Sequence, residues 1–376
     1  MVMILKPDWQ KEKKIFIEWW NFQLDRPLIQ IIDLKDESIE LENVSSRKKN
    51  FIKTGFLDYS WAFLKYYPNI KKALIKILKE FSKVHFIKEA YPNIWINIGP
   101  GALALYLGAE IKYDDYVKTA WINGNFTLEE IIEMDFNPYN KWWKYTIEAC
   151  KILSRECEGK AIVGFPDFHE NIDALAQLRG NFPINFVRDI FLKRELVKKA
   201  LEKLDDLFFL YFKKLCRLIN TKKYGYSTWA WLWNEESYNI AGWDLVAYLS
   251  PKQFHEFVLP SLINQCYYFE KLIWHLDGPL ELTHLDTLLS IKELDGIQWI
   301  PGAGNPDAGD QSWLPLYKKI LLNGKLLQLI DVPLEKLNKL LSSLPNNGRN
   351  VAILTICSSS HQKKLLRELP FDILDE

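Results

Sequence analysis

Eight short apolar runs punctuate this chain, each the length of a buried β-strand and shorter than a typical helix. They are Leu28 to Asp33, Asn93 to Ile98, Ala161 to Pro166, a run near Tyr226 to Trp231, Leu272 to Gly278, Ile297 to Gly302, Leu326 to Ile330 and Val351 to Ile356. Several are apolar at consecutive rather than alternate positions, the pattern of parallel strands covered on both faces. Helical spacing lies between them: Lys6 to Phe22, Trp61 to Val84, the turn Gly99-Pro100-Gly101 into a helix reaching Leu107, Asn140 to Glu158, Asp173 to Leu218, and Pro251 to Phe269. Lys35 to Lys53 reads as a charged surface excursion, and Glu110 to Asn125 as an irregular or hairpin segment. Eight strands alternating with helices predict an α/β protein, a single (β/α)8 TIM barrel with N-terminal helical and loop elaborations. No linker, repeat or shift of composition divides the chain, so residues 1–376 are expected to form one domain.

Composition narrows the function classes. Lys plus Arg and Asp plus Glu both number 48, and a net charge of zero argues against nucleic acid or membrane recognised through bulk charge. The five cysteines are scattered, odd in number and without a C-x-x-C pair, which points to a reducing compartment. The N-terminus meets charge too soon for a signal peptide, and no apolar run reaches the roughly 18 residues a membrane helix needs. A soluble, cytoplasmic protein acting on a small molecule is the expectation.

In such a fold the chemistry sits just past the carboxyl ends of the strands. Side chains two apart on a strand share a face, so His275 and Asp277 project together where the fifth run stops at Gly278-Pro279. They are the first candidates for catalysis, with Asp167 and His169 past the third run as a second acid–base pair. The latter two serve equally well as a cap for the helix that follows. Trp229 and Trp231 would line a pocket or simply pack the core. Trp299 and Gln328, at the ends of their strands, are candidate substrate contacts. Arg179 would hold an anionic group, or pair with a carboxylate near its helix end. Cys357, ending the eighth run, is a further metal-competent group or a small buried hydrophobe. His284 and Asp286 would orient His275 from behind. Gly99-Pro100-Gly101 makes a poor phosphate loop, because proline removes an amide.

Four stretches, taken in order, carry a resemblance. They are Leu249-Ser250-Pro251-Lys252-Gln253-Phe254 with Pro260, His275-Leu276-Asp277-Gly278, Ile297-Gln298-Trp299-Ile300-Pro301-Gly302, and Asn323-Gly324-Lys325. With Asp25-Arg26-Pro27 and the Gly99 turn, they resemble the uroporphyrinogen decarboxylase superfamily over nearly the whole chain. That superfamily includes the decarboxylase and the zinc methyltransferases that serve corrinoid proteins. The resemblance implies a (β/α)8 barrel with its active site at the carboxyl ends of the strands. The decarboxylase branch follows its first Arg-Pro with an arginine-rich loop. Here Leu28 to Asp33 follows Arg26-Pro27, so a polycarboxylate would lack charged partners. The methyltransferase branch holds zinc with His-x-Cys-Gly and a distant cysteine near the last strand. The resemblance places His275 on that histidine, Asp277 on the first cysteine and Cys357 on the second. It thereby implies a zinc site of His275, Asp277 and Cys357, with a corrinoid protein as methyl donor or acceptor. The chain departs from the pattern at Asp277, where a carboxylate makes the site harder than a thiolate would, and again after Cys357. Two rivals remain beside this reading: a metal-free decarboxylase or lyase working through Asp277 and His275, and a non-catalytic barrel whose Trp-lined pocket binds a small molecule.

Overall fold

The computed structural model describes residues 3–35, 59–116 and 118–357; most of the charged excursion and the residues after Cys357 lie outside them. The strands in chain order are β1 Leu28–Leu34, β2 Val84–Lys88, β3 Asn93–Trp95, β4 Glu110–Asp114, β5 Thr119–Asn123, β6 Ile162–Gly164, β7 Tyr226–Ser227, β8 Trp233–Asn234, β9 Tyr238–Ala241, β10 Lys271–Asp277, β11 Gly296–Ile300, β12 Leu326–Leu329 and β13 Val351–Cys357.

Seven of these form one sheet in the order β2-β1-β13-β12-β11-β10-β9. All its pairings are parallel except that of β2, which runs antiparallel along β1. Every residue of β1 and β12 is buried, as continuous apolar runs require when helices cover a parallel sheet. β3 pairs in parallel with β6, and β4 with β5 forms the hairpin expected after Glu110. The chain is thus α/β with a central parallel sheet. A cluster of buried apolar side chains runs from Ile29 to Cys357 and joins the sheet to its covering helices. Among them are the helices Lys141–Glu156, Asn171–Arg179, Arg194–Ile219 and Leu259–Tyr268. None of the described helices is long and apolar enough to cross a membrane, and none of the five cysteines forms a disulfide.

Two elements differ from the sequence expectation. Val84 belongs to β2 rather than to the end of a helix, which stops at Phe81. The fourth run is not a strand as far as Trp231. Tyr226–Ser227 pairs antiparallel with Trp233–Asn234, and Trp231 between them takes the left-handed backbone, with φ of 61°. The parallel strand beside β10 is instead β9, which aligns Ala241 with Trp274. Irregular backbone buried between strands must find hydrogen-bond partners. Here two glutamines supply them: Gln30 Nε2 of β1 donates to the Trp231 carbonyl at 2.8 Å, and Gln328 Nε2 of β12 to the Ala230 carbonyl at 2.6 Å.

Lys325, part of the Asn-Gly-Lys stretch, also has a structural task. Its buried ammonium donates to the carbonyls of Ile291 and Leu294, at 2.5 and 2.6 Å, closing the connection between β10 and β11.

Candidate functional site

The carboxyl ends of β6, β9 and β10 bring together the polar residues of the mouth. β10 ends at Asp277, two residues past His275. β9 ends at Ala241 and passes through Gly242 and Trp243 into a helical turn, Asp244–Tyr248, that opens with Asp244. Gly242 permits the approach: a Cβ there would sit 2.5 Å from His275 Cβ and 2.8 Å from its carbonyl oxygen. One ligand atom each from Asp244, His275 and Asp277 lie within 4.8 Å of one another. A second group, His169, Asp173 and Asp244, meets the same distance and shares Asp244 with the first.

β6 delivers the other side of the mouth. Past Gly164 come Asp167 and His169, the latter with φ of 41°. His169 Nδ1 lies 3.0 Å from Asp173 Oδ2, and its Nε2 lies 3.9 Å from Asp167 Oδ2. Asp173 is held by backbone: the amides of Asp244 and Leu245 donate to its two oxygens at 2.9 and 3.1 Å. The helix Asn171–Arg179 and the turn bearing Asp244 are therefore tied through the same carboxylate.

Electrostatics follow from crowding acids in a desolvated place. Burial pulls the His169 imidazole down, but Asp167, Asp173 and Asp244 outweigh it and hold its pKa well above the ordinary value. Burial raises Asp167, against the attraction of His169 and His275. Glu281, buried behind β10, accepts the Asp277 amide proton at 3.2 Å. Burial pushes its carboxyl up to about 10, and the nearby acids Asp277, Asp244 and Asp173 push the same way. It is a neutral acid at pH 7.

His275 is held on three sides. Trp229 stands edge-on to its ring, with centroids 5.2 Å apart. Gly242 lies against its backbone. On its own strand row, register aligns His275 with Gln298 of β11 and Gln298 with Gln328 of β12. His275 Nδ1 is 2.5 Å from Gln298 Oε1, and Gln298 Nε2 donates to Gln328 Oε1 at 2.7 Å.

Of the residues expected at the site, Asp167, His169, Trp229, His275 and Asp277 are brought together at this mouth. Gln328 stands two strands from His275 in the same row, and its amide is spent on Gln298 and Ala230. Trp231 packs in the core against Tyr59, Phe86 and Tyr91. Trp299 is fully buried and meets Trp313. Arg179 pairs with Asp189 at 2.5 Å and donates to the Phe126 carbonyl, the helix-end role that was its alternative. Cys357 is buried at the end of β13 and belongs to neither group of ligand atoms; β12 and β11 lie between its strand and β10. His284 does not orient His275: it stacks on Phe254 and bonds the Val246 carbonyl, while Asp286 pairs with Lys319. Sequence reasoning passed over Asp244, Asp173, Glu281 and Gln298. Only Gln298 carried a readable signal, as a lone polar residue inside an apolar strand.

The arrangement offers one imidazole and two carboxylates to a divalent cation, a donor set of the harder kind with no thiolate. No family model matches the chain, and no curated protein was found to match it. Among solved structures, a methyltransferase from Methanosarcina mazei superposes with a TM-score of 0.59 at 11% identity, over 95% of this chain and 97% of that chain. At that identity the likeness is one of fold.

Proposed function

We propose that this chain is a divergent metal-dependent methyltransferase of the uroporphyrinogen decarboxylase superfamily, with a corrinoid protein as methyl donor or acceptor. The observation that carries the metal is the Asp244, His275 and Asp277 group, whose ligand atoms converge within 4.8 Å. The named sequence stretches and the methyltransferase of like fold support the reaction class.

The ligand set proposed is His275, Asp277 and Asp244, the last in place of the expected Cys357. The donors fit a divalent ion such as zinc: three protein groups at the rim of a strand end is the arrangement of a catalytic site that keeps a position open. A bound ion would supply Lewis acidity, lowering the pKa of whatever substrate group it meets. The chain's own residues do the rest. Trp229 walls one side of His275, Asp173 orients His169, and His169 holds a proton at the rim opposite β10. The acidic rim disfavours the rival lyase on a carboxylated substrate. Asp167, Asp173, Asp244 and Asp277 would repel an anion, and Arg179 is engaged elsewhere.

A closed eight-stranded barrel is also part of the proposal. Support for closure comes from bonds that tie the β3–β6 pair to the β7–β8 segment and that segment to the seven-stranded sheet. The Phe165 amide donates to the Ser227 carbonyl at 2.9 Å and Asn93 Nδ2 to the Thr228 carbonyl at 2.8 Å, while Gln30 and Gln328 of the sheet donate to the Trp231 and Ala230 carbonyls.

The reaction is tested by incubating zinc-loaded protein with methylcobalamin and a panel of small thiols, following loss of the methylcobalamin absorbance. Thiol-dependent demethylation that disappears in His275→Ala is expected. No demethylation with any thiol, with or without added metal, contradicts the proposal.

A further inference from the structure

We propose that Gln298 and Gln328 are positioning residues that fix the proton of His275 on Nδ1 and leave Nε2 as its basic nitrogen. The inference deepens the metal reading above, but its first readout does not depend on it.

One end of the relay is fixed by chemistry alone. A backbone carbonyl can only accept, so the Gln328 atom 2.6 Å from the Ala230 oxygen must be the amide nitrogen. That orientation turns Gln328 Oε1 toward Gln298, and an oxygen there requires the Gln298 nitrogen, at 2.7 Å, as donor. Gln298 must then present its own oxygen to His275, at 2.5 Å, and an amide oxygen can only accept. Nδ1 of His275 carries the hydrogen in both charge states of the ring. Only Nε2 can lose a proton, bind an ion or act as a base.

Neither glutamine can turn over without setting two acceptors face to face inside the fold. Gln298 and Gln328 are both 0% exposed, where an unmet polar group costs about 1–3 kcal/mol. The terminus of the relay is firm as well. Ala230 lies in the irregular segment between β7 and β8, whose next carbonyl, that of Trp231, is taken by Gln30. The same segment supplies Trp229, so ring position and proton position are set from one piece of backbone. A hydrogen bond behind a metal-binding imidazole commonly changes metal affinity by about 10–100-fold when removed.

The test reads the proton directly. In metal-free protein at pH 8, long-range proton–nitrogen correlation spectra of 15N-histidine-labelled chain should show His275 protonated on Nδ1. Gln298→Leu should shift His275 toward the Nε2-protonated form and weaken zinc binding about 10–100-fold. Gln328→Leu should give a mixture of the two forms. Gln30→Leu removes an equally buried glutamine that bonds the adjacent carbonyl without touching His275, and should leave its spectrum and zinc affinity unchanged. A wild-type His275 protonated on Nε2, or an unchanged His275 spectrum in a folded Gln298→Leu, overturns the proposal. So does a Gln30→Leu that shifts His275 as far as Gln298→Leu does. If wild type binds no zinc while the spectra behave as stated, the relay stands and the metal reading fails.

Discussion

Glu281 is the residue on which the electrostatics of the mouth can be measured most simply. Its carboxyl stays protonated because burial removes the water that would solvate a charge, and Asp277, Asp244 and Asp173 add repulsion. The sign of the pH effect follows. Below the ordinary value of 4.5 both folded and unfolded chains hold the proton. Between there and about 10 the folded chain keeps a proton the unfolded chain has lost, so this group makes stability fall as pH rises. Glu281→Gln is neutral, nearly the same size, and still offers an oxygen to the Asp277 amide. Denaturant midpoints across pH 5 to 9 should decline less steeply in the variant than in wild type. A variant that declines as steeply contradicts the assignment. His275 and Asp277 were legible from sequence, because alternation along a strand puts them on one face. Gln30, Gln298 and Gln328 shared a subtler sign. Each stands alone in an apolar strand and is wholly buried, so each must be satisfied from inside. Asp244 gave no sign at all: it reaches the mouth because a backbone turn carries it there.

At the scale of elements, the close contact between β9 and β10 sets the site. β9 must end against His275, and Gly242 is the residue that lets it. Gly242→Ala would place a methyl inside contact distance of both His275 Cβ and its carbonyl, so one strand end must shift. We expect a loss of about 1–3 kcal/mol, the usual range for overpacking. Metal affinity should drop beyond what the stability change explains, as seen by calorimetry alongside denaturation. Full metal affinity in Gly242→Ala would show that this contact does not position the ligands. The fourth run departs most from its sequence expectation. Tyr226 to Trp231 looks like one strand, and nothing in its composition announces a tryptophan in left-handed backbone. Two glutamines on β1 and β12, about 200 and 100 residues away in sequence, make that irregular backbone tolerable. The true partner of β10, Tyr238–Ala241, is short and follows a polar turn.

Over the whole molecule a net charge of zero conceals a strong local asymmetry. The mouth gathers Asp167, Asp173, Asp244, Asp277 and Glu281 around two histidines, with pKa shifts that report their mutual crowding. Parallel pairing of β9 and β10 accounts for Asp244, His275 and Asp277, whose strands end on the same side, and the segment after β6 adds Asp167, His169 and Asp173. The α/β class and most strands were legible in the sequence, since continuous apolar runs survive any tertiary context. The proposed ligand set was not, because resemblance pointed to Cys357 on the last strand, whereas the fold brings Asp244, from the turn after β9, beside His275 and Asp277.

The most direct test is the metal content of protein purified without an affinity tag and equilibrated with zinc, compared among wild type, Asp244→Asn and Cys357→Ser. One zinc per chain is expected in wild type, with unchanged content in Cys357→Ser and loss in a folded Asp244→Asn. Zinc kept by Asp244→Asn and lost from Cys357→Ser, or none bound by wild type under any loading condition, contradicts the proposed ligand set.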